Sequence, residues 1–112
     1  MPLAEMVRIE FFFPDSPDPA YSETINRFEN ELAHTFGGCS VIQGTKGLYR
    51  SDTQGIIQDR IHLLFVDVEL TLDYHRAAIE QYIDGVAKTI ADALEEEKIL
   101  ITVHRVYHQI SS

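Results

Sequence analysis

The feature that most constrains this chain is a hydrophobic period that switches between two and about 3.6. From Met6 to Phe13 the apolar Val7, Ile9, Phe11 and Phe13 alternate with Arg8, Glu10 and Phe12, a period that a strand sorts onto one face. From Tyr21 the spacing becomes three and four. Tyr21, Ile25, Phe28, Leu32 and Phe36 share one helical face, which predicts an amphipathic helix over Pro19–Phe36. Between the two patterns "PDSPDP" stops the strand, and Asp18-Pro19 offers an N-cap followed by a proline at the first helical position. Gly37 and Gly38 end the helix, because glycine accepts the left-handed conformation common just past a helix.

The same order then recurs without any repeat of sequence. Cys39–Gln43 reads as a short strand that resumes at Leu48–Arg50 after a "GTKG" turn. A second turn, "SDTQG", leads into the longest apolar-rich run, Ile56–Glu69. Thr71 is placed to cap a helix in which Ile79, Ile83, Val86, Ile90 and Leu94 recur at helical spacing, ending near Glu97. Ile99–Ile110 alternates as a last strand, with Ile99, Ile101 and Val103 on one face. The order is βαββαβ. Two such halves pack most economically as an α+β sandwich of ferredoxin-like type, a four-stranded antiparallel sheet with both helices on one face. At 112 residues and 45% hydrophobic content, residues 1–112 fit one domain that buries roughly two thirds of its unfolded surface.

Charge narrows the function classes. Eighteen acidic against nine basic residues give a formal charge of −9, which disfavours nucleic acid and anionic membrane surfaces, since both need clustered Lys and Arg. No apolar run reaches the roughly 20 residues of a membrane span. The single cysteine, Cys39, has no internal disulfide partner, and "MPLAEMVRIEFFF" lacks the pattern of a secretory leader, so a cytoplasmic protein is expected.

The sheet face away from the helices is where the sequence places polar groups among apolar ones. If the more apolar parity faces the helices, strand 1 shows Arg8, Glu10 and Phe12 outward. The third strand then turns Ile61, Leu63 and Phe65 inward and Arg60, His62, Leu64, Val66 and Val68 outward. The last strand adds Leu100, Thr102, His104, Val106 and His108. A solvated face should alternate more cleanly than this, so a cover is expected, and a second copy of the same sheet is the simplest one. Arg8, Glu10, Arg60, His62 and His104 form the candidate ligand-binding cluster at the middle of that face. In one reading they set the register of a homodimer that encloses a small molecule. In another they serve an isomerase, lyase or cofactor-free oxygenase, with His62 or His104 as acid or base and Arg8 or Arg60 holding an anion. A third reading is a protein-binding adaptor that uses the acidic helical face or the free edge of the second strand.

Other motifs carry less. The stretch "FGGCSVIQGTKGLYR" has Lys46 before its glycine and a strand after it, so it is not a phosphate loop; Gly44 and Gly47 are expected to permit turns. Cys39 lacks a local base and follows a helix C-terminus, which would raise its pKa. His104 and His108 lie ~13 Å apart along a strand, and His62 with His104 makes only two ligands, so neither a metal nor another cofactor is expected. If Met1 were removed, Pro2 would expose a secondary amine of the kind tautomerases use, although the first strand is expected to begin several residues later.

Taken together, "FGGCSVIQGTKGLYRSDTQGIIQD" resembles the central signature of a family of small bacterial domains of unknown function. The matching positions are Phe36, Gly38, Gly44, Gly47, Tyr49, Arg50, Gly55 and Asp59, with Tyr49 standing where the family more often has Trp. The resemblance implies a ferredoxin-like fold. It supplies no reaction and no catalytic residue.

Overall fold

A computed structural model describes residues 2–96 and 99–110, with the backbone alone at residue 49. The elements run β1 (Leu3–Pro14), α1 (Pro19–Phe36), β2 (Ser40–Ser51), β3 (Gly55–Val68), α2 (Leu72–Leu94) and β4 (Leu100–Gln109). The strands form one antiparallel sheet in the order β2-β3-β1-β4, with both helices on one side, which is the ferredoxin-like arrangement.

Each boundary has a local cause. Asp18 caps α1, its Oδ1 accepting from the Ala20 amide at 3.0 Å, and Pro19 occupies the first turn. Gly37 ends the helix at φ 82°, where a side chain would be strained. Thr71 sits at the N-cap of α2, but its hydroxyl makes no capping bond. The carboxylate of Glu5, on β1, accepts from the Leu72 amide at 2.7 Å and does that work across the fold. The helix ends at Leu94, with Glu95 in the left-handed region, and the expected end at Glu97 lies outside the described residues.

β1 starts at Leu3 rather than Met6. Pro2 is exposed beside it, its carbonyl accepting from the Ile110 amide at 3.1 Å. β2 is one strand of 12 residues rather than two pieces. "GTKG" is not a turn. Its Gly47 pairs with Asp59 inside the ladder, and the chain reverses at Asp52–Gln54. Gly44, at φ 74°, belongs to a bulge: Gln43 and Gly44 together stand opposite His62 alone, between the pairs Ile42↔Leu63 and Thr45↔Ile61. Because β1 stops pairing at Pro14↔Ile61, the β2–β3 hairpin continues past the sheet as a two-stranded arm. It contributes to a long axis of 51 Å against 28 and 26 Å.

The core fills the space between sheet and helices. Val7, Ile9, Phe11 and Phe13 of β1 meet Ile25, Phe28 and Leu32 of α1, and Ile79, Ile90 and Leu94 of α2. Phe28 lies edge-on to both Phe11 and Phe13, with ring centroids 5.0 and 6.0 Å apart. The contribution of β3 reverses the expectation: Leu64 and Val66 are buried in this core, opposite Phe11 and Ile9, while Ile61, Leu63 and Phe65 face away. Antiparallel partners share a face, so pairing with the inward residues of β1 sets the parity of β3, whatever the side-chain sizes on each parity.

Candidate functional site

That reversal divides the expected cluster. Arg8, Glu10 and His104 stay together on the open face, with Arg8 paired to His104 and Glu10 to Thr102 in the β1–β4 register. His62 pairs with Phe13 and belongs to the helix face, where its Nε2 lies 2.9 Å from Oε1 of Glu29 on α1. Arg60 is exposed at the base of the arm, its carbonyl accepting from the Asp15 amide at 2.9 Å. His62 and His104 therefore occupy opposite sides of the sheet, with β1 between their strands. They cannot converge on one substrate or one ion. Among the described residues no three His, Cys, Asp or Glu are grouped to hold a metal.

The open face carries a network that includes Asp67, the position opposite Arg8. The Arg8 guanidinium donates to both carboxylate oxygens of Asp67, Nε to Oδ1 at 2.7 Å and Nη2 to Oδ2 at 2.8 Å, and sits 4.3 Å above the centre of the Phe65 ring. Those two bonds hold the Asp67 carboxyl below the ordinary carboxylate range despite partial burial, with the Arg8 charge and His104 and His108 adding to the effect. The Arg8 pKa is raised by the same pair. Beside it, Glu10 Oε1 accepts from the Thr102 hydroxyl at 2.8 Å and lies 3.0 Å from His104 Nε2.

Asp67 was the residue that the parity error concealed. An acid in the alternation Ile61, Leu63, Phe65, Asp67 is out of place in a core, and Arg8 across the ladder is its natural partner. The network explains what the arrangement can do. Arg8 is already engaged with Asp67 through a two-bond fork of Nε and Nη2, which neutralises much of its charge toward a further anion.

Apolar side chains surround the network on all four strands. Ile42 of β2, Ile57, Ile61, Leu63 and Phe65 of β3, Met6 and Phe12 of β1, and Leu100 and Val106 of β4 share this face by register; Leu100 is 60% exposed and Ile42 45%. No helix covers them. Cys39 lies elsewhere, half-buried where α1 gives way to β2, its thiol pKa raised by burial and then by the Glu29 charge. The expected increase is present, with burial as its leading cause.

A four-stranded sheet in this order, with two helices on one face and a bare opposite face, defines a ferredoxin-like domain. Solved structures share it, among them the following two. A phage SAM lyase in complex with S-methyl-5'-thioadenosine superposes with a TM-score of 0.59 at 9% identity, over 96% of this chain and 90% of that one. CutA1 from Oryza sativa gives 0.54 at 11% identity, over 97% and 84%. At such identities the likeness is one of fold. No family model matches the chain and no curated protein matches its sequence, so the resemblance of residues 36–59 rests on its motif alone. No helix among the described residues is long and apolar enough to cross a membrane.

Proposed function

We propose that this chain is a self-associating ferredoxin-like domain that pairs two copies through the open sheet face, with room for a small ligand between the sheets. The observation that carries the reading is the contrast between that face and the rest of the chain. The protein has a formal charge of −9, which opposes the approach of a second copy. On the open face, however, Arg8 offsets Asp67, and the remaining acids by register are Glu10, beside His104, and Asp59 on the arm. Charges are few for the area of the patch, and most of its remaining surface is apolar. Four strands of ten residues span roughly 600 Å² in projection, comparable to the ~800 Å² per partner of a standard interface.

Light scattering tests this directly. The wild-type chain is expected to have twice the chain mass at micromolar concentration. Leu63→Glu, which puts a charge at the centre of the patch, should halve the mass while the far-ultraviolet spectrum is retained. A wild-type monomer at that concentration ends the proposal. The enzymatic reading, with His62 or His104 as acid or base and Arg8 or Arg60 holding an anion, expected these groups to converge in one pocket; it is withdrawn, because His62 lies on the opposite face from Arg8 and His104.

A second reading draws on β2, an edge strand that exposes Val41, Ile42 and Leu48. Such an edge accepts an added strand from a partner protein. Val41→Pro would remove an edge hydrogen bond and abolish that binding, leaving sheet-face pairing intact.

A further inference from the structure

On the helix side, away from the pairing face, a cleft of about 260 Å³ opens between the start of α1 and the bulge of β2. Its walls include Asp15 and Ser16 from the β1–α1 loop, Asn26 from α1, Gln43 and Gly44 from the bulge, and His62 from β3. The bulge is what makes room: two residues of β2 stand opposite His62, and Gly44 takes the left-handed conformation there. Bulges commonly re-aim a strand beside a functional site.

The chemistry of the walls selects a ligand class. No Lys or Arg lines the cleft. The start of α1 is not an anion site either, because its first amides are already used. Pro19 has none, Ala20 donates to Asp18 Oδ1, and Tyr21 and Ser22 donate to the Asp18 carbonyl. What remains has a single charged group, the Asp15 carboxylate, beside the amides of Asn26 and Gln43 and the Ser16 hydroxyl, which can each donate or accept. His62 Nε2 lies 2.9 Å from the Glu29 carboxylate, which leaves Nδ1, bonded to no described residue, as the ring's free nitrogen.

We infer that this cleft binds a small organic amine, its ammonium group taken by Asp15 and its body seated between Asn26, Gln43 and His62. The site is independent of self-association, since it lies on the other side of the sheet.

The test is a titration of the full-length, ¹⁵N-labelled chain with 1,4-diaminobutane and with ethanolamine, followed through its amide and side-chain amide resonances, with inorganic phosphate as the contrasting probe. Saturable shifts from an amine, confined to residues 15–26, 43–44 and 62, are expected, and none from phosphate. Asp15→Asn keeps the backbone bond to Arg60 and should weaken amine binding about ten-fold, the usual cost of a charged hydrogen bond. Its unchanged amide spectrum away from the cleft would show that the fold survives. Three results would overturn the inference: no saturation by either amine at millimolar concentration, phosphate binding as tightly as the amines, or shifts spread over the acidic surface and abolished by salt, the mark of general ion attraction.

Discussion

Leu63 and Leu64 are neighbours in one strand and lie on opposite faces of the sheet. Leu64 is fully enclosed by α1, β1 and the rest of the core, while Leu63 faces outward beside Phe12 and Phe65. Both are leucines in the same apolar run, so side-chain hydrophobicity alone does not distinguish them. The difference is what each face is packed against. On one side the chain supplies its own cover; on the other it presents an apolar surface around a fixed ionic centre that no helix of its own covers.

The largest effect expected from this contrast is on folding. Leu64→Ala should lower the unfolding free energy by about 2–5 kcal/mol, the range for emptying a packed core site, and Leu63→Ala by about 1 kcal/mol or less under conditions where the chain is monomeric. Urea midpoints of the two variants, measured side by side, check it, and equal losses would dissolve the distinction. Asp67→Asn comes next. It removes the charge that Arg8 holds, and because both side chains are partly solvated the cost should be about 1 kcal/mol, with a further loss of dimer mass if the pair sets register.

The same pair gives a pH signature. The folded carboxyl of Asp67 titrates below the ~3.9 of an unfolded Asp. Its contribution is therefore complete above about pH 3.9 and is lost as acidification carries the protein through the lower, folded value. Urea midpoints taken down to about pH 2 should show this loss in the wild type and not in Asp67→Asn. The smallest effect is at Tyr21 on the helix side. Its hydroxyl is buried with no hydrogen-bond partner among the described residues, and burial, then Glu96, pushes the phenol up to about 12. Tyr21→Phe should raise stability by up to about 1 kcal/mol at neutral pH. Because the folded value is raised above the unfolded ~10, the wild type should lose stability from about pH 10 upward, and the variant should lose less.

Much of the architecture was readable because local signals agreed. The bounds of α1 follow from Asp18, Pro19 and Gly37, and the inward face of β1 follows from its strict alternation. β3 was harder because both of its parities are apolar: Ile61, Leu63 and Phe65 look as suited to a core as Leu64, Val66 and Val68. Only its partner strand decides between them, and that is a long-range fact. The candidate site inherited the ambiguity. Arg8, Glu10 and His104 share a face as expected because Val7, Ile9 and Phe11 of β1 and Ile101 and Val103 of β4 fix the inward parity, whereas His62 lies on the other side and Asp67 joins the cluster unforeseen. The cap of α2 escaped for a similar reason, since Glu5 reaches Leu72 from the far end of the sequence.

The bulge at Gln43 and Gly44 also sets how this chain can tolerate changes of length. Before it, Ser40 and Ile42 share the open face; after it, Thr45 and Gly47 do, because one extra residue exchanges even for odd positions. Deleting one of these two residues would restore one-to-one pairing opposite His62 and leave Thr45 facing Ile61, so the arm would keep its faces and lose only the bulge. Removing one cross-strand pair each from β2 and β3 at the arm's tip would instead shorten the arm and leave every remaining side chain on its present face. A single deletion should therefore be accepted at the bulge and rejected in the regular ladder of Thr45–Ser51, where only matched pairs keep every side chain on its face.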